Sequence, residues 1–201
     1  NSDEATQAAD SADAGEIIVT ANRDPSRLSK TPIALSAISG ADLAASGVTT
    51  PTALAAITPN LSITRDAVPA SGGGLQITIR GITSTDASEK GDPSAAFLRD
   101  GIYIARPQAQ EVSFFDVERV EVLRGPQGTL YGRNTTAGVV NVLSVRPKDK
   151  FEVVGDFGYG SYNNITGTGV VNVPVSEGLA LRAAVNHEQR DSTVIPTNST
   201  V

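Results

Sequence analysis

The sequence predicts an α+β fold in which a small mixed-sheet domain is followed by antiparallel strands, and three observations predict it. Short runs rich in β-branched residues alternate with Gly, Asn, Asp and Pro turns between residues 32 and 147. A helix start stands among these runs, because Thr50 is a favourable N-cap and Pro51 follows at the first helical position. After Lys150 apolar residues recur at every second position, which is the period of a half-exposed strand.

The first part begins with a strand and two short helices. The alternation in PIALSAIS predicts a strand over residues 32–39, and residues 40–45 can open a helix. Apolar residues after Thr50 recur at helical spacing until Pro59 ends that helix. Two further strands and the glycine-rich loop that joins them are expected at residues 61–64, 75–81 and 71–74. We assign this loop no chemistry, because neither a Lys-Ser/Thr pair nor a helix start follows it.

A tight hairpin is predicted at Asp100-Gly101, because both residues tolerate positive φ and apolar runs flank them. The next strand, DVERVEVLRG at residues 116–125, alternates so that one face is richer in charge than the other. GPQGTLYG then predicts a turn and a short helical or looped piece, and AGVVNVLSV at residues 137–145 returns as a strand. We expect the domain to end near Arg146-Pro147.

Three candidate strands with one apolar face make up the second part. The apolar positions are Phe151, Val153, Phe157 and Tyr159, then Ile165, Val171, Val173 and Val175, then Leu179, Leu181, Ala183 and Val185. Strands of this length and pattern match transmembrane β-strands with lipid against the apolar face. An antiparallel sheet packed on a soluble core would show the same alternation.

Composition and charge exclude several classes of function. A net charge of −6 with scattered basic residues argues against a nucleic-acid partner. The chain has no cysteine, which excludes disulfides, zinc fingers and thiol nucleophiles. No run approaches the roughly 20 apolar residues of a transmembrane helix. His187 is the sole histidine and no motif places a nucleophile beside it, so we expect no enzyme, no cofactor and no metal site.

Two N-terminal segments differ in character. Residues 1–15 are small, polar and acidic, which predicts a flexible leader. Because the first residue is Asn1 and no signal-peptide pattern is present, we expect a mature chain. The following EIIVTA, at residues 16–21, is either a short edge strand of the domain or an extended peptide that adds to a partner's open sheet edge.

Four motifs in a fixed order carry a family resemblance. They are RDGIYI at residues 99–104, VERVEVLRGP at 117–126, LYG at 130–132 and AGVVNV at 137–142. Together they resemble the plug of TonB-dependent outer-membrane receptors. The resemblance covers residues 16–147, and residues 148–192 resemble the first barrel strands. It divides the chain into a leader at 1–15, a TonB box at 16–22, a plug domain at 23–147 and barrel strands at 148–201.

This resemblance implies a plug inside a transmembrane β-barrel of about 22 strands, in the outer membrane of a Gram-negative bacterium, with the N-terminal arm in the periplasm. TonB, the partner, would pull on the box formed by Glu16, Ile17, Ile18, Val19, Thr20 and Ala21 and so admit a scarce bulky solute. That solute would be a siderophore, cobalamin, a glycan or an aromatic oligomer. Arg80 and Arg124 match the plug arginines that pair with barrel glutamates.

Two long loops are expected to face the ligand, with contacts from Asp86, Glu89, Lys90, Asp92, Arg106, Gln108 and Gln110. A solvated loop surface is the alternative for each of these residues, and the acidic spacing fits no calcium loop. Three strands would leave an open edge, so the barrel is incomplete in this sequence, which we interpret as a fragment, a truncated gene or part of a longer receptor. The other function left open is a soluble periplasmic ligand-binding module whose late strands fold onto the α/β core.

Overall fold

The computed structural model describes residues 18–19, 26–27, 33–65, 74–83, 92–111 and 113–192. The chain divides into two compact units, Asn1–Ser144 and Val145–Val201. The predicted domain boundary after residue 147 stays a prediction.

A five-stranded mixed sheet is the centre of the first unit. Its strands are β3 (Leu35–Ser39), β6 (Ala95–Arg99), β7 (Ile102–Tyr103), β8 (Val117–Arg124) and β9 (Gly138–Ser144). They lie side by side in the order β3-β8-β9-β6-β7. Strands β6 and β9 are parallel, and the other neighbours are antiparallel. The predicted mixed sheet is therefore confirmed.

Smaller elements surround this sheet. Two-residue strands β1 (Ile18–Val19) and β2 (Ser26–Arg27) pair with each other, and β4 (Leu61–Arg65) pairs with β5 (Leu75–Ile79). The helices are α1 (Gly40–Ala45), α2 (Pro51–Leu54), α3 (Gly128–Tyr131) and a 3₁₀ helix (Pro107–Gln110). The Thr50 side chain accepts a hydrogen bond from the Ala53 N–H, which confirms the predicted cap.

Apolar side chains fill both faces of the mixed sheet. The larger cluster includes Leu54, Ile63, Ile79, Phe97, Val120, Val140 and Val142. A smaller cluster on other positions of the same strands contains Ala96, Leu98, Leu123 and Val139. Because alternate residues of a strand point to opposite faces, β8 and β9 are buried on both sides.

Strand β8 also buries charge. The Arg119 Nε donates to Glu121 Oε1 at 2.9 Å, and the Glu121 side chain is fully buried. Residues two apart lie on the same face of a strand, which is why this pair can meet. The two charges on this face of the strand are thus buried as an ion pair.

The predicted hairpin at Asp100-Gly101 is confirmed. Both residues have positive φ, 52° and 79°, as the favoured two-residue turn requires. Asp100 Oδ1 accepts from the Ser144 N–H at 2.7 Å, and Asn141 Oδ1 accepts from the Gly101 N–H at 3.2 Å. The turn is therefore fixed to the end of β9.

The second unit is a three-stranded antiparallel sheet in chain order. Its strands are β10 (Glu152–Gly160), β11 (Asn164–Ser176) and β12 (Leu179–Gln189), which confirms the three predicted strands. Asn172 is fully buried, and its amide holds the segment before β10. It accepts from the Lys148 N–H and donates to the carbonyls of Lys148 and Lys150.

In the part of the chain that the structure describes, no helix combines the length and hydropathy needed to cross a membrane.

Candidate functional site

Two arginines meet where strands of the first unit end. Arg80 follows β5 with φ 53°, and its N–H donates to the Asn60 carbonyl at 2.9 Å. Arg124 ends β8, and its N–H donates to the Ala34 carbonyl at 2.9 Å. A Cβ on Gly125 would lie 3.9 Å from Arg80 Nη1, so the Arg80 guanidinium lies beside the residue that follows Arg124.

This arrangement brings two positive charges together. Burial lowers the pKa of Arg124, and the charge of Arg80 lowers that pKa further. Arg124 Nη2 donates to Ser36 Oγ at 2.6 Å, and its buried Nε has no hydrogen-bond partner among the described residues. An arginine stays protonated in a protein, so both guanidiniums would attract an anion placed beside them.

Of the seven residues predicted to face the ligand, four are described. Asp92 pairs with Arg133 at 3.3 Å, and Arg106 is exposed at the N-cap of the 3₁₀ helix. Gln108 is partly buried within that helix. Gln110 is only 4% exposed, and its Nε2 donates to the Ile104 carbonyl, so its side chain supports the loop from within. Asp86, Glu89 and Lys90 lie outside the described residues.

A cleft that the sequence did not predict lies between α2 and the predicted ligand loop. It has a volume of about 170 Å³, and its lining includes Thr50, Arg65, Glu111 and Ser113. Arg65 and Glu111 form an ion pair across it. No spacing rule could identify this pair, because 46 residues separate its members.

The N-terminal arm is described at two of its six predicted box residues. Ile18 and Val19 form β1, which pairs antiparallel with β2 in the register Ile18 to Arg27 and Val19 to Ser26. Val19 is fully buried. Glu16, Ile17, Thr20 and Ala21 lie outside the described residues.

The second unit exposes an apolar sheet face. In the strand register Val153 lies opposite Val171, which lies opposite Ala183, and Val173 lies opposite Leu181. Phe157 and Tyr159 on this face are 75% and 71% exposed. His187, also exposed, lies opposite Gly167 in the row that contains Phe157. The predicted apolar face is confirmed, and a sheet face of this kind requires a non-aqueous neighbour.

A mixed-sheet domain followed along the chain by three antiparallel strands with one exposed apolar face is the succession expected of a plug-type domain and the strands that follow it. Residues 27–139 match the family model described as the TonB-dependent Receptor Plug Domain. The chain belongs to this family, as its motifs implied.

Known receptors are similar over between about half and four fifths of the chain. The pesticin receptor of Yersinia pestis is 29% identical over 171 residues, which are 83% of this chain and 24% of the receptor. The catecholate siderophore receptor Fiu of Escherichia coli is 35% identical over 98 residues, 49% of this chain and 13% of the receptor. The crystal structure of the ferric yersiniabactin uptake receptor FyuA of Yersinia pestis gives a TM-score of 0.69 at 25% identity, over 81% of this chain and 24% of that one. The chain thus spans about a quarter or less of these receptors' length.

Proposed function

We propose that this chain is the plug and the first barrel strands of an outer-membrane receptor that imports a ferric siderophore. The observation that carries the proposal is the succession of a plug-family domain and three strands whose apolar face is exposed. Of the relatives described above, Fiu is named for catecholate siderophores, FyuA for the uptake of ferric yersiniabactin, and the third for pesticin. Siderophore uptake is therefore preferred to uptake of cobalamin, a glycan or an aromatic oligomer.

The apolar face supports a place in the outer membrane of a Gram-negative bacterium. Strands β10 to β12 have nine, thirteen and eleven residues. A tilted strand of about 9–11 residues spans a bilayer core. The free edges of the sheet require further strands, because unpaired backbone groups are not tolerated in hydrocarbon.

In this proposal the arm transmits energy from TonB in the periplasm. Residues 16–21 bind as an added strand, in which backbone hydrogen bonds provide affinity and side chains provide specificity. Because β1 pairs with β2, the partner strand either adds to the free edge of β1 or replaces β2.

Arg80 and Arg124 hold the plug in place. Barrel glutamates would supply the anions that this pair requires, and a pull on the arm would separate the two sets of charges. Breaking a buried ion pair by removing one partner costs roughly 3–5 kcal/mol, which makes such a contact a strong but reversible lock.

Ligand binding is assigned to the loops at residues 83–94 and 105–113. Asp92, Arg106 and Gln108 provide charge and hydrogen bonds there, and Asp86, Glu89 and Lys90 complete the proposed set. Gln110 is omitted because its side chain is buried. The cleft beside Arg65 and Glu111 adjoins the second loop and extends this surface.

Ile18→Pro in the receptor tests the proposal. Proline removes the backbone N–H of residue 18 and clashes with a strand partner, so energised uptake of the ferric siderophore should be lost. Binding of the siderophore to cells should be unchanged, because the ligand surface is untouched. Ile18→Val, which keeps the N–H, is the matched control and should transport normally. Retained uptake in the proline variant would overturn the role of the arm.

The alternative function, a soluble periplasmic binding module, requires the apolar residues of β10 to β12 to be buried. Val153, Leu181 and Val185, which would have to be covered, are each more than 60% exposed. Fractionation separates the two proposals. A product that is released by osmotic shock and stays monomeric without detergent would support the soluble module.

A further inference from the structure

A second cleft in the first unit has the chemistry of a binding site. It has a volume of about 260 Å³, and Tyr103, Tyr131, Arg133, Asn134 and the buried Ala96 line it. Drug-sized ligands occupy roughly 300–1,000 Å³, so a cleft of this size suits one ring of a larger ligand. None of these residues was singled out by the sequence motifs as a contact.

Two phenol side chains and a guanidinium converge on this cleft. Tyrosine faces stack on planar rings, and a guanidinium binds carboxylate or phenolate oxygens in a bidentate manner. Asn134 Nδ2 donates to the Tyr103 hydroxyl at 3.1 Å. A phenol that accepts a hydrogen bond can still donate its own proton to an oxygen of the ligand.

Arg133 forms an exposed ion pair that a ligand can replace. Its partner is Asp92 at 3.3 Å, and the two side chains are 83% and 62% exposed. An exposed pair of this kind contributes roughly 0–1 kcal/mol, so an anion that also stacks on the tyrosines can replace the aspartate.

The backbone that presents these groups is fixed in advance. The Gln127 N–H donates to the Thr135 carbonyl at 3.0 Å, and the Ala137 N–H donates to the Ser94 carbonyl at 2.8 Å. Thr135 is fully buried, and its hydroxyl donates to the Gly132 carbonyl at 2.6 Å. A preformed loop loses little conformational entropy on binding.

We infer that this cleft binds an anionic aromatic ring, of the hydroxybenzoate or catecholate type, carried by the transported chelate. Tyr103 precedes Arg106 of the proposed ligand loop by three residues, so the cleft extends that ligand surface. The inference rests on the proposed function for its physiological ligand, and it restricts the siderophore to one that carries such a ring.

Binding to the 201-residue chain in detergent provides the first test, with 2,3-dihydroxybenzoate as the probe. We expect a dissociation constant on the order of 1 mM, as befits a ligand of this size. Catechol lacks the carboxylate and cyclohexanecarboxylate lacks the aromatic ring, so each should bind at least about tenfold more weakly, the factor that 1.4 kcal/mol represents. Equal binding of all three compounds would overturn the inference.

Substitutions in the cleft test whether dihydroxybenzoate binds there. Arg133→Gln and Tyr131→Leu should each weaken dihydroxybenzoate binding at least about tenfold, and Arg133→Lys, which keeps the charge but not the planar fork, should weaken it less. Arg146→Gln, an exposed arginine of the second unit, is the matched control and should bind as the parent does. Unchanged binding in Arg133→Gln would remove the cleft as the site.

A transport comparison separates this inference from the proposed function. In the receptor, Arg133→Gln should reduce uptake of a ferric catecholate. Uptake of a ferric hydroxamate chelate is the control, and it should be the same in parent and variant, whether or not the receptor transports that chelate. If Arg133→Gln takes up both chelates as the parent does, while Ile18→Pro still abolishes uptake, the cleft contacts other parts of the receptor and not the ligand. In that case only this inference fails.

Discussion

Asn172 is the residue whose side chain holds the segment before β10. Its three hydrogen bonds, of 3.0, 2.7 and 2.7 Å, all go to the backbone of Lys148 and Lys150. Glu152 adds ion pairs to Lys148 at 3.5 Å and to Arg182 at 3.3 Å. A force applied to the chain before residue 145 would therefore act on a backbone that these contacts hold in place at Lys148.

Asn172→Ala should release this segment. Loss of the amide leaves three backbone groups without their partners, which costs roughly 1–3 kcal/mol. We expect trypsin to cleave after Lys148 and Lys150 about tenfold faster or more. Asn186→Ala, which removes a side-chain bond to Thr168 elsewhere on the sheet, is the control. Equal cleavage in the two variants would show that Asn172 does not anchor the segment.

Arg80→Gln should stabilise this chain by itself but should weaken the attachment of the plug in the receptor. Among the described residues, Arg80 acts on Arg124 by repulsion, so its removal should stabilise the chain slightly, by less than about 1 kcal/mol because Arg80 is exposed. In the receptor the same change should weaken the plug. Urea denaturation of the chain and uptake by cells measure the two effects. A destabilised chain would mean that the arginines are compensated within the plug.

At the scale of elements, the stability of β8 depends on an ion pair between two of its own side chains inside the sheet. Arg119 and Glu121 face the same side of the strand and are both buried. A charge that loses its partner in such a place cannot be solvated, whereas apolar replacements of both residues can pack.

Arg119→Met should therefore destabilise the chain by roughly 3–5 kcal/mol, since Glu121 stays buried and loses its ion pair with Arg119. The double variant Arg119→Met/Glu121→Leu should recover a large part of that loss. Urea denaturation of the parent, the single variants and the double variant measures the coupling. Additive losses would show that the two charges act independently.

At the scale of the whole molecule, the apolar face of β10 to β12 supports the proposed place in the outer membrane. Val171, Leu181 and Val185 lie on this face, and Thr166 and Thr168 lie on the other. Water cannot serve as the neighbour of so many exposed apolar side chains without favouring aggregation.

Val185→Arg should impair assembly in the membrane, because Val185 is 67% exposed on the apolar face and lies near the middle of β12. An arginine facing lipid near the bilayer midplane costs roughly 2–4 kcal/mol in a barrel. The fraction of folded receptor in the outer membrane, read from heat-dependent gel mobility, should fall. Thr166→Arg, on the opposite face and beside Glu188 in the strand register, should assemble normally. Equal assembly of the two variants would mean that the apolar face does not contact lipid.

Local patterns were enough to predict the strands and turns. Asp100-Gly101 predicts its hairpin because both residues tolerate positive φ, and Thr50-Pro51 predicts its helix start because cap and first turn are adjacent in sequence. The period of two after Lys150 predicts which side chains of β10 to β12 form the apolar face. Arg80 and Arg124 were identified by resemblance, but their proximity to each other was not.

The sequence by itself determined the elements, the family and the apolar face, because each depends on residues that are near one another in the chain. Only the tertiary structure decided which distant side chains meet. It brought Arg65 to Glu111, Tyr103 to Asn134 and Asn172 to Lys148. These contacts depend on strand order and register, which no local pattern specifies, and they form the clefts and the anchor on which the proposals rest.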